Sequence, residues 1–90
     1  MKVFEDLDFT TIELDPWMEG VQSRMMFDNG YGVSVICHKY SYGGKKGLHE
    51  IAVLDKNGKL TYDTPVTNDV IGYLSKTGVT NVMRQVQELK

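Results

Sequence analysis

The chain has 90 residues, of which 41% are hydrophobic and 24% charged, with a formal net charge of −2 and a single cysteine, Cys37. This length allows one domain, residues 1–90, near the lower limit for independent folding, and a lone cysteine excludes a disulfide framework or a multi-cysteine zinc site. No apolar run is long enough to cross a membrane, and the N-terminus lacks a basic and apolar leader, so we expect a cytoplasmic protein without a membrane partner.

The first 20 residues form an acidic segment. They contain six acidic side chains against Lys2 alone, a net of −5, whereas residues 21–90 contain nine basic and six acidic side chains, a net of +3. One interpretation is that the segment packs on the basic body of the same chain; the other is that it binds a partner. The candidate partner surface consists of Glu5, Asp6, Asp8, Glu13, Asp15 and Trp17.

Residues 21–64 have the pattern of a β-meander. Asn29-Gly30 and Asn57-Gly58 each separate two runs of β-forming residues, and Asn-Gly predicts a type I′ hairpin turn with positive φ at both positions. A glycine-rich break at 42–47 lies between them. We therefore predict four antiparallel strands, at 21–28, 32–39, 48–55 and 59–64. Their alternation predicts one core face, made of Val21, Ser23, Met25, Phe27, Val33, Val35, Cys37, His49, Ile51 and Val53.

Residues 67–89 have the pattern of two helices. Thr67 is a predicted N-cap for the first helix, which carries Val70, Ile71 and Leu74 and ends at a break over 75–78. The second helix, about 79–89, has an apolar stripe at helical spacing: Val79, Val82, Met83, Val86 and Leu89. The predicted fold is α+β, a four-stranded antiparallel meander with two C-terminal helices packed on one face.

The second face of this sheet is also apolar, at Ile36, Ala52 and Leu54. Such a face needs a cover. Either the N-terminal segment provides it, through Phe4, Leu7, Phe9 and Trp17, or a second copy does, so we expect a monomer or a homodimer.

The chain offers little for catalysis or metal binding. Cys37 and His38 are adjacent in a strand and point to opposite faces, which favours Cys37 as a small buried residue over a nucleophile. His38 and His49 would lie close together across a symmetric hairpin, but a metal site needs a third ligand that we do not find. We therefore predict no cofactor and no metal, and an enzyme is the class that we expect least.

The loop at 40–47 interleaves aromatic residues, glycines and lysines, with Tyr40, Tyr42, Lys45 and Lys46 as candidate contacts. Aromatic rings stack on unpaired bases and lysines neutralise phosphates, so this composition can bind single-stranded nucleic acid. The alternative is a flexible turn whose lysines maintain solubility.

Three stretches carry a resemblance: NGYGVSVI at 29–36, GLHEIAVL at 47–54 and YDTPVTNDVIGYL at 62–74. Over about residues 24–75 the chain resembles a class of short uncharacterised proteins of tailed bacteriophages. The resemblance implies no activity and no site residue. It implies a setting, the cytoplasm of an infected bacterium, and a small accessory protein that binds a host or phage protein and modulates a host factor or defence system. Two alternatives stay open, the nucleic-acid-binding module and a self-assembling structural protein.

Overall fold

The computed structural model describes residues 1–11, 20–39 and 41–90. In chain order its elements are a 3-10 helix (Phe4–Asp6), β1 (Thr10–Thr11), β2 (Gly20–Met26), β3 (Gly32–His38), a second 3-10 helix (Gly44–Lys46), β4 (His49–Leu54), β5 (Leu60–Thr61), β6 (Ile71–Leu74) and α1 (Lys76–Gln87). All strand pairs are antiparallel. The α+β class and the antiparallel sheet are confirmed. The predicted four strands and two helices are not, because the described residues form six strands and one α-helix.

The strands follow the order β1-β2-β3-β4-β5, and β6 also pairs with β4. β5 pairs with the Leu54 end of β4, and β6 pairs with its His49 end. The two short strands therefore lie end to end along one edge of β4. The residues between them, 62–70, leave the sheet and return to it.

Both Asn-Gly turns are hairpins, but of a different type from the one predicted. Gly30 and Gly58 have φ of 91° and 74°, whereas neither Asn29 nor Asn57 has positive φ. Gly30 N donates to the Phe27 carbonyl at 3.1 Å, and the hairpin at 55–59 repeats this pattern. This is the three-residue loop in which a type I turn is followed by one left-handed glycine. Only the glycine of each pair therefore needs unusual backbone freedom.

The predicted first helix is wrong, and its residues form β6 instead. Thr67 does not cap a helix: its hydroxyl accepts from Asp69 N at 3.0 Å and donates to Asp69 O at 2.8 Å, closing a local turn. The apolar spacing of Ile71 and Leu74 suits a helix, but β-branched and aromatic residues also favour a strand. Half of the edge of β4 is left without a partner by the short β5, and β6 supplies its hydrogen bonds.

The C-terminal helix begins earlier than predicted but uses the predicted stripe. Ser75 is its N-cap, with a side chain that accepts from Gly78 N at 3.1 Å, so the expected break at 75–78 is the first turn of α1. The buried residues of the helix are Val79, Val82, Met83 and Val86. They pack on the face of the sheet formed by Val33, Val35, Ile51 and Val53.

Residues 4–9 of the N-terminal segment join the helix side of the sheet and not the second face. Leu7 is only 7% exposed and belongs to the core, and Phe4 and Phe9 pack against it. Phe4 N donates to the Thr80 hydroxyl of α1 at 3.0 Å. The expected cover of the second face by Phe4, Leu7 and Phe9 is therefore wrong, because these side chains close the open edge of the helix–sheet core. Trp17 lies outside the described residues.

The second face of the sheet carries one apolar row, formed by Met26, Gly32, Leu54 and Leu60 in register. Leu54 and Ala52 are buried, whereas Met26 and Leu60 are about half exposed. The Arg24 side chain crosses this face from β2 to donate to the Gly58 carbonyl in the β4–β5 turn. The face is thus partly covered by its own side chains. No helix among the described residues combines the length and apolar character that a membrane crossing requires.

Candidate nucleic-acid interface

The loop between β3 and β4 has a defined fold. Ser41 is buried, and its hydroxyl accepts from His38 N at 3.0 Å and donates to His38 O at 2.9 Å. Gly43 and Gly47, with φ of 88° and 74°, bracket the short 3-10 helix that carries Lys45 and Lys46. Hydrogen bonds and two left-handed glycines therefore define the backbone path of residues 41–47. Tyr40 lies outside the described residues.

A second aromatic residue, Tyr73, joins this loop through a β-bulge. Ile71 pairs with Ile51 and Leu74 pairs with His49, so Gly72 and Tyr73 together oppose the single residue between them on β4. Tyr73 has φ of 58° and is the one non-glycine residue with positive φ in the described part of the chain. A bulge redirects side chains locally, and a bulky residue in this region is rare. Here the result is a tyrosine ring that is 61% exposed.

The bulge and the loop are joined through Tyr42. Tyr73 N donates to the Tyr42 carbonyl at 3.1 Å in place of a sheet partner. A Cβ at Gly72 would lie 2.4 Å from Tyr42 Cβ, and a Cβ at Gly43 would lie 3.0 Å from Tyr73 Cα. Glycine is thus required where the two backbones approach. Tyr42 is 60% exposed, and its ring centroid lies 6.5 Å from that of Tyr73, with 33° between the ring planes.

Three lysines line a groove beside Tyr73. This shallow groove of about 310 Å³ is lined by Lys39, Ser41, Gly43, Lys45, Lys46 and Tyr73. We call the two tyrosines and these three lysines the Tyr–Lys platform. Lys39 and Tyr73 lie outside the loop at 40–47, and only the fold brings them to this groove. Tyr73 was not predicted to be part of this surface, because residues 67–74 were predicted to form a helix.

Glu50 lies on the second face of the sheet, close to the backbone of Tyr42. Burial raises the pKa of this carboxyl group, against the opposing effects of nearby His38 and of a hydrogen bond from the Tyr42 backbone. The Tyr42 backbone therefore lies beside this carboxyl group, and its carbonyl accepts from Tyr73 N. Glu50 also lines a small apolar groove of about 130 Å³ with Ser34, Ile36, Ala52, Leu60 and Val70.

The other candidate residues do not assemble into one site. Glu5, Asp6 and Asp8 are exposed, and Asp6 accepts from Val3 N at 2.8 Å; Glu13 and Asp15 lie outside the described residues. His38 and His49 point to opposite faces of the sheet, so the expectation that they lie close together is wrong. Cys37 is half-buried, and its thiol is 4.0 Å from the Gly44 carbonyl. Within the described ranges, no group of three or more His, Cys, Asp or Glu side chains could hold a metal ion.

Comparison of the chain with protein families, with curated proteins and with solved structures finds no match.

Proposed function

We propose that this protein is a binding module for single-stranded nucleic acid and that the Tyr–Lys platform is its contact surface. The observation that supports this most is the bulge at Gly72-Tyr73, which holds a bulky residue in a strained conformation and keeps its ring in water. Strained, exposed residues of this kind concentrate at functional sites.

The two rings suit stacking by unpaired bases. Tyr42 and Tyr73 are both more than half exposed, and their centroids are 6.5 Å apart, so each ring has a free side. A flexible single strand can place neighbouring bases on neighbouring rings, and base–aromatic stacking tolerates any sequence. A duplex cannot do this because its bases are already stacked on one another.

The lysines supply the complementary charge for phosphates. Lys45 and Lys46 are exposed on the short 3-10 helix at the edge of the same groove. The net charge of −2 does not oppose this, because the acidic excess lies in residues 1–20 and residues 21–90 carry a net charge of +3. Phosphate contacts of this kind predict binding that weakens as salt rises.

The test is fluorescence anisotropy with a labelled single-stranded oligonucleotide and its duplex. Tyr73→Ala should weaken single-strand binding by about 1–3 kcal/mol, and Lys45→Gln with Lys46→Gln should reduce the salt dependence. Tyr62→Ala is the matched control, since Tyr62 is 50% exposed but is not part of the platform. Equal binding of the duplex, or an equal loss in Tyr62→Ala, would contradict the proposal.

The second candidate is a protein-binding accessory protein, in the phage setting that the sequence resemblance implies. The observation that favours it is the row on the second face, where Met26 and Leu60 remain about half exposed beside the groove at Ile36 and Ala52. Concentrated exposed apolar surface is typical of protein contacts. Analytical ultracentrifugation of the wild type and of Leu60→Lys distinguishes the partners. A wild type that is dimeric and a variant that is monomeric indicate self-assembly through this face. A wild type and a variant that are both monomeric indicate that the partner is a different protein.

A further inference from the structure

The two Asn-Gly turns share one backbone geometry. Gly30 N donates to the Phe27 carbonyl at 3.1 Å, and its φ is 91°. Gly58 N donates to the Asp55 carbonyl at 2.9 Å in the same way, and its φ is 74°. Asparagine is a chemically labile residue, and a following glycine leaves its side chain open to attack by the next backbone nitrogen, because glycine has no Cβ in the way. The local sequence therefore gives both turns the same reactive pair.

The side chains of the two asparagines differ in their contacts. The Asn29 amide nitrogen donates to the carbonyls of Val86 at 2.8 Å and Leu89 at 3.0 Å, at the end of α1. The Asn29 side-chain oxygen accepts from Tyr31 N at 3.1 Å. Asn57 is exposed, and its side chain makes no hydrogen bond with any residue that the structure describes. The fold therefore holds one of the two side chains and leaves the other in water.

The hairpin that carries Asn57 is also the less firmly paired of the two. Its second strand, β5, has two residues, whereas β2 and β3 have seven each. A short pairing opens more readily than a long one, because fewer hydrogen bonds break together. One side chain restrains this turn from outside, since Arg24 on β2 donates to the Gly58 carbonyl. Local opening is therefore easier at 55–59 than at 27–31.

We propose that Asn57 is a site of spontaneous deamidation in the folded protein and that α1 protects Asn29 from the same reaction. The Gly58 nitrogen gives its proton to a solvent base and bonds to Cγ of Asn57. The bond from Cγ to Nδ2 breaks, and Nδ2 takes a proton from water and leaves as ammonia. The product is a cyclic succinimide. Water then adds to either ring carbonyl and opens the ring, which leaves an aspartyl or an isoaspartyl residue at position 57.

The end of α1 opposes this reaction at Asn29. Attack requires the side chain to turn until Cγ lies beside the next backbone nitrogen. At Asn29 this movement breaks both hydrogen bonds to the helix carbonyls, and a part-buried carbonyl that loses its donor is costly. At Asn57 the bond that must break is the one from Gly58 N to the Asp55 carbonyl, and the first turn contains its equivalent. The difference between the two sites thus comes from the helix and from the length of the strands.

The modification changes the turn that it occurs in. Either product adds a carboxylate to a turn that already contains Asp55, whose side chain accepts from Asn57 N at 2.8 Å and from Lys59 N at 3.1 Å. The isoaspartyl product also adds a methylene to the backbone, and loop length sets the register of a hairpin. Deamidation therefore weakens the pairing of β5 with β4, which places Leu60 opposite the buried Leu54 on the second face.

The test is peptide mass spectrometry of the full chain after incubation in mildly alkaline buffer, which favours loss of the Gly58 amide proton. Replacement of an amide by an acid changes the peptide mass, and the two products separate by chromatography. In the folded protein the reaction should be at least about tenfold faster at Asn57 than at Asn29. In concentrated urea the two rates should become similar. Gly58→Ala should suppress the reaction at Asn57 alone.

Two variants test what controls each site. Leu89→Ala removes an apolar contact at the end of α1, and should speed the reaction at Asn29 but not at Asn57. Arg24→Ala removes the donor to the Gly58 carbonyl, and should speed the reaction at Asn57 but not at Asn29.

Three results would overturn the inference: equal rates at Asn29 and Asn57 in the folded protein, no reaction at Asn57 over the time in which both react in urea, or an unchanged rate at Asn29 in Leu89→Ala. All rates are measured without ligand, so the outcome is independent of nucleic-acid binding.

Discussion

At the scale of single residues, Tyr73 shows how one side chain can be held in an unfavourable conformation. The left-handed region costs a non-glycine residue about 1–2 kcal/mol. Its neighbours offset this cost, since Leu74 packs against the core and Tyr73 N bonds to Tyr42. Gly72 supplies the space that the approach of Tyr42 requires.

Gly72→Ala and Gly58→Ala should separate two requirements for glycine. At Gly72 the added Cβ meets Tyr42 Cβ at 2.4 Å, so we expect the Tyr42–Tyr73 ring pair to be displaced and oligonucleotide affinity to fall. At Gly58 nothing lies within 4 Å and only the φ of 74° is unfavourable, which predicts a loss of about 1 kcal/mol in unfolding free energy with binding unchanged. Denaturant unfolding and ring–ring NOEs measure both, and intact ring contacts in Gly72→Ala would refute the steric argument.

The stability of the protein should fall in mild acid through His49. Burial lowers the pKa of His49 in the folded state; the Leu74 backbone opposes this effect and the Lys76 charge adds to it. The unfolded chain therefore binds more protons, so the stabilising contribution is full above the unfolded pKa of about 6.5 and is lost as pH falls through the folded pKa. The raised pKa of Glu50 acts in the opposite sense. Its stabilising contribution is full below the pKa of Glu50 in the unfolded chain and is lost as pH rises through the folded pKa. The difference in unfolding free energy between wild type and His49→Gln isolates the histidine, and a difference constant with pH would contradict the assignment.

At the scale of elements, the first hairpin and the C-terminal helix support each other. The Asn29 side chain donates to the carbonyls of Val86 at 2.8 Å and Leu89 at 3.0 Å, and accepts from Tyr31 N at 3.1 Å. The end of a helix leaves carbonyls without partners. The turn therefore supplies the C-terminal cap of α1 across 57 residues of sequence.

Asn29→Ala and Asn57→Ala form a matched pair for this contact. Both residues occupy the same position of the same turn type, but Asn57 is exposed and its side chain makes no hydrogen bond to α1. We expect Asn29→Ala to lower the unfolding free energy by about 1–2 kcal/mol, because it removes the donor to the Leu89 carbonyl and one of the donors to the Val86 carbonyl. Asn57→Ala should stay within about 0.5 kcal/mol. Equal effects in urea unfolding would show that the turn, and not the cap, determines the stability.

At the scale of the whole molecule, residues 1–9 pack against the helix–sheet core and contribute Leu7 to it. Leu7 is buried among core residues, and Lys2 exchanges two backbone hydrogen bonds of 2.8 Å with the Gln87 side chain of α1. Leu7, Phe4 and Phe9 share one cluster with the buried residues of α1 and of the sheet. The apolar residues near the N-terminus complete that cluster.

Leu7→Ala and Leu60→Ala should therefore differ strongly. Leu7 is 7% exposed on the helix side, and truncating a buried leucine typically costs about 2–5 kcal/mol. Leu60 is 50% exposed on the second face, and we expect a change within about 0.5 kcal/mol. Thermal or urea unfolding provides the comparison, and a mild effect of Leu7→Ala would show that the segment is not required by the core.

The local sequence determined those features that depend on nearby residues. Period-two alternation predicted the core face of β2, β3 and β4, because successive strand side chains point to opposite sides. Asn-Gly predicted both hairpins, since glycine tolerates positive φ, and helical spacing predicted the buried stripe of α1.

The tertiary structure decided the features that depend on which edges remain unpaired. The sequence of residues 71–74 is compatible with a helix or a strand. These residues form a strand because they pair with the half of the β4 edge that β5 leaves free. From the sequence, the apolar residues near the N-terminus could cover either face of the sheet. In the structure Leu7, Phe4 and Phe9 pack against the core on the helix side. The Tyr–Lys platform also required the fold, because Tyr73 reaches Tyr42 only through a bulge opposite Glu50. Such pairings satisfy backbone hydrogen bonds between distant parts of the chain, and no local pattern of residues encodes them.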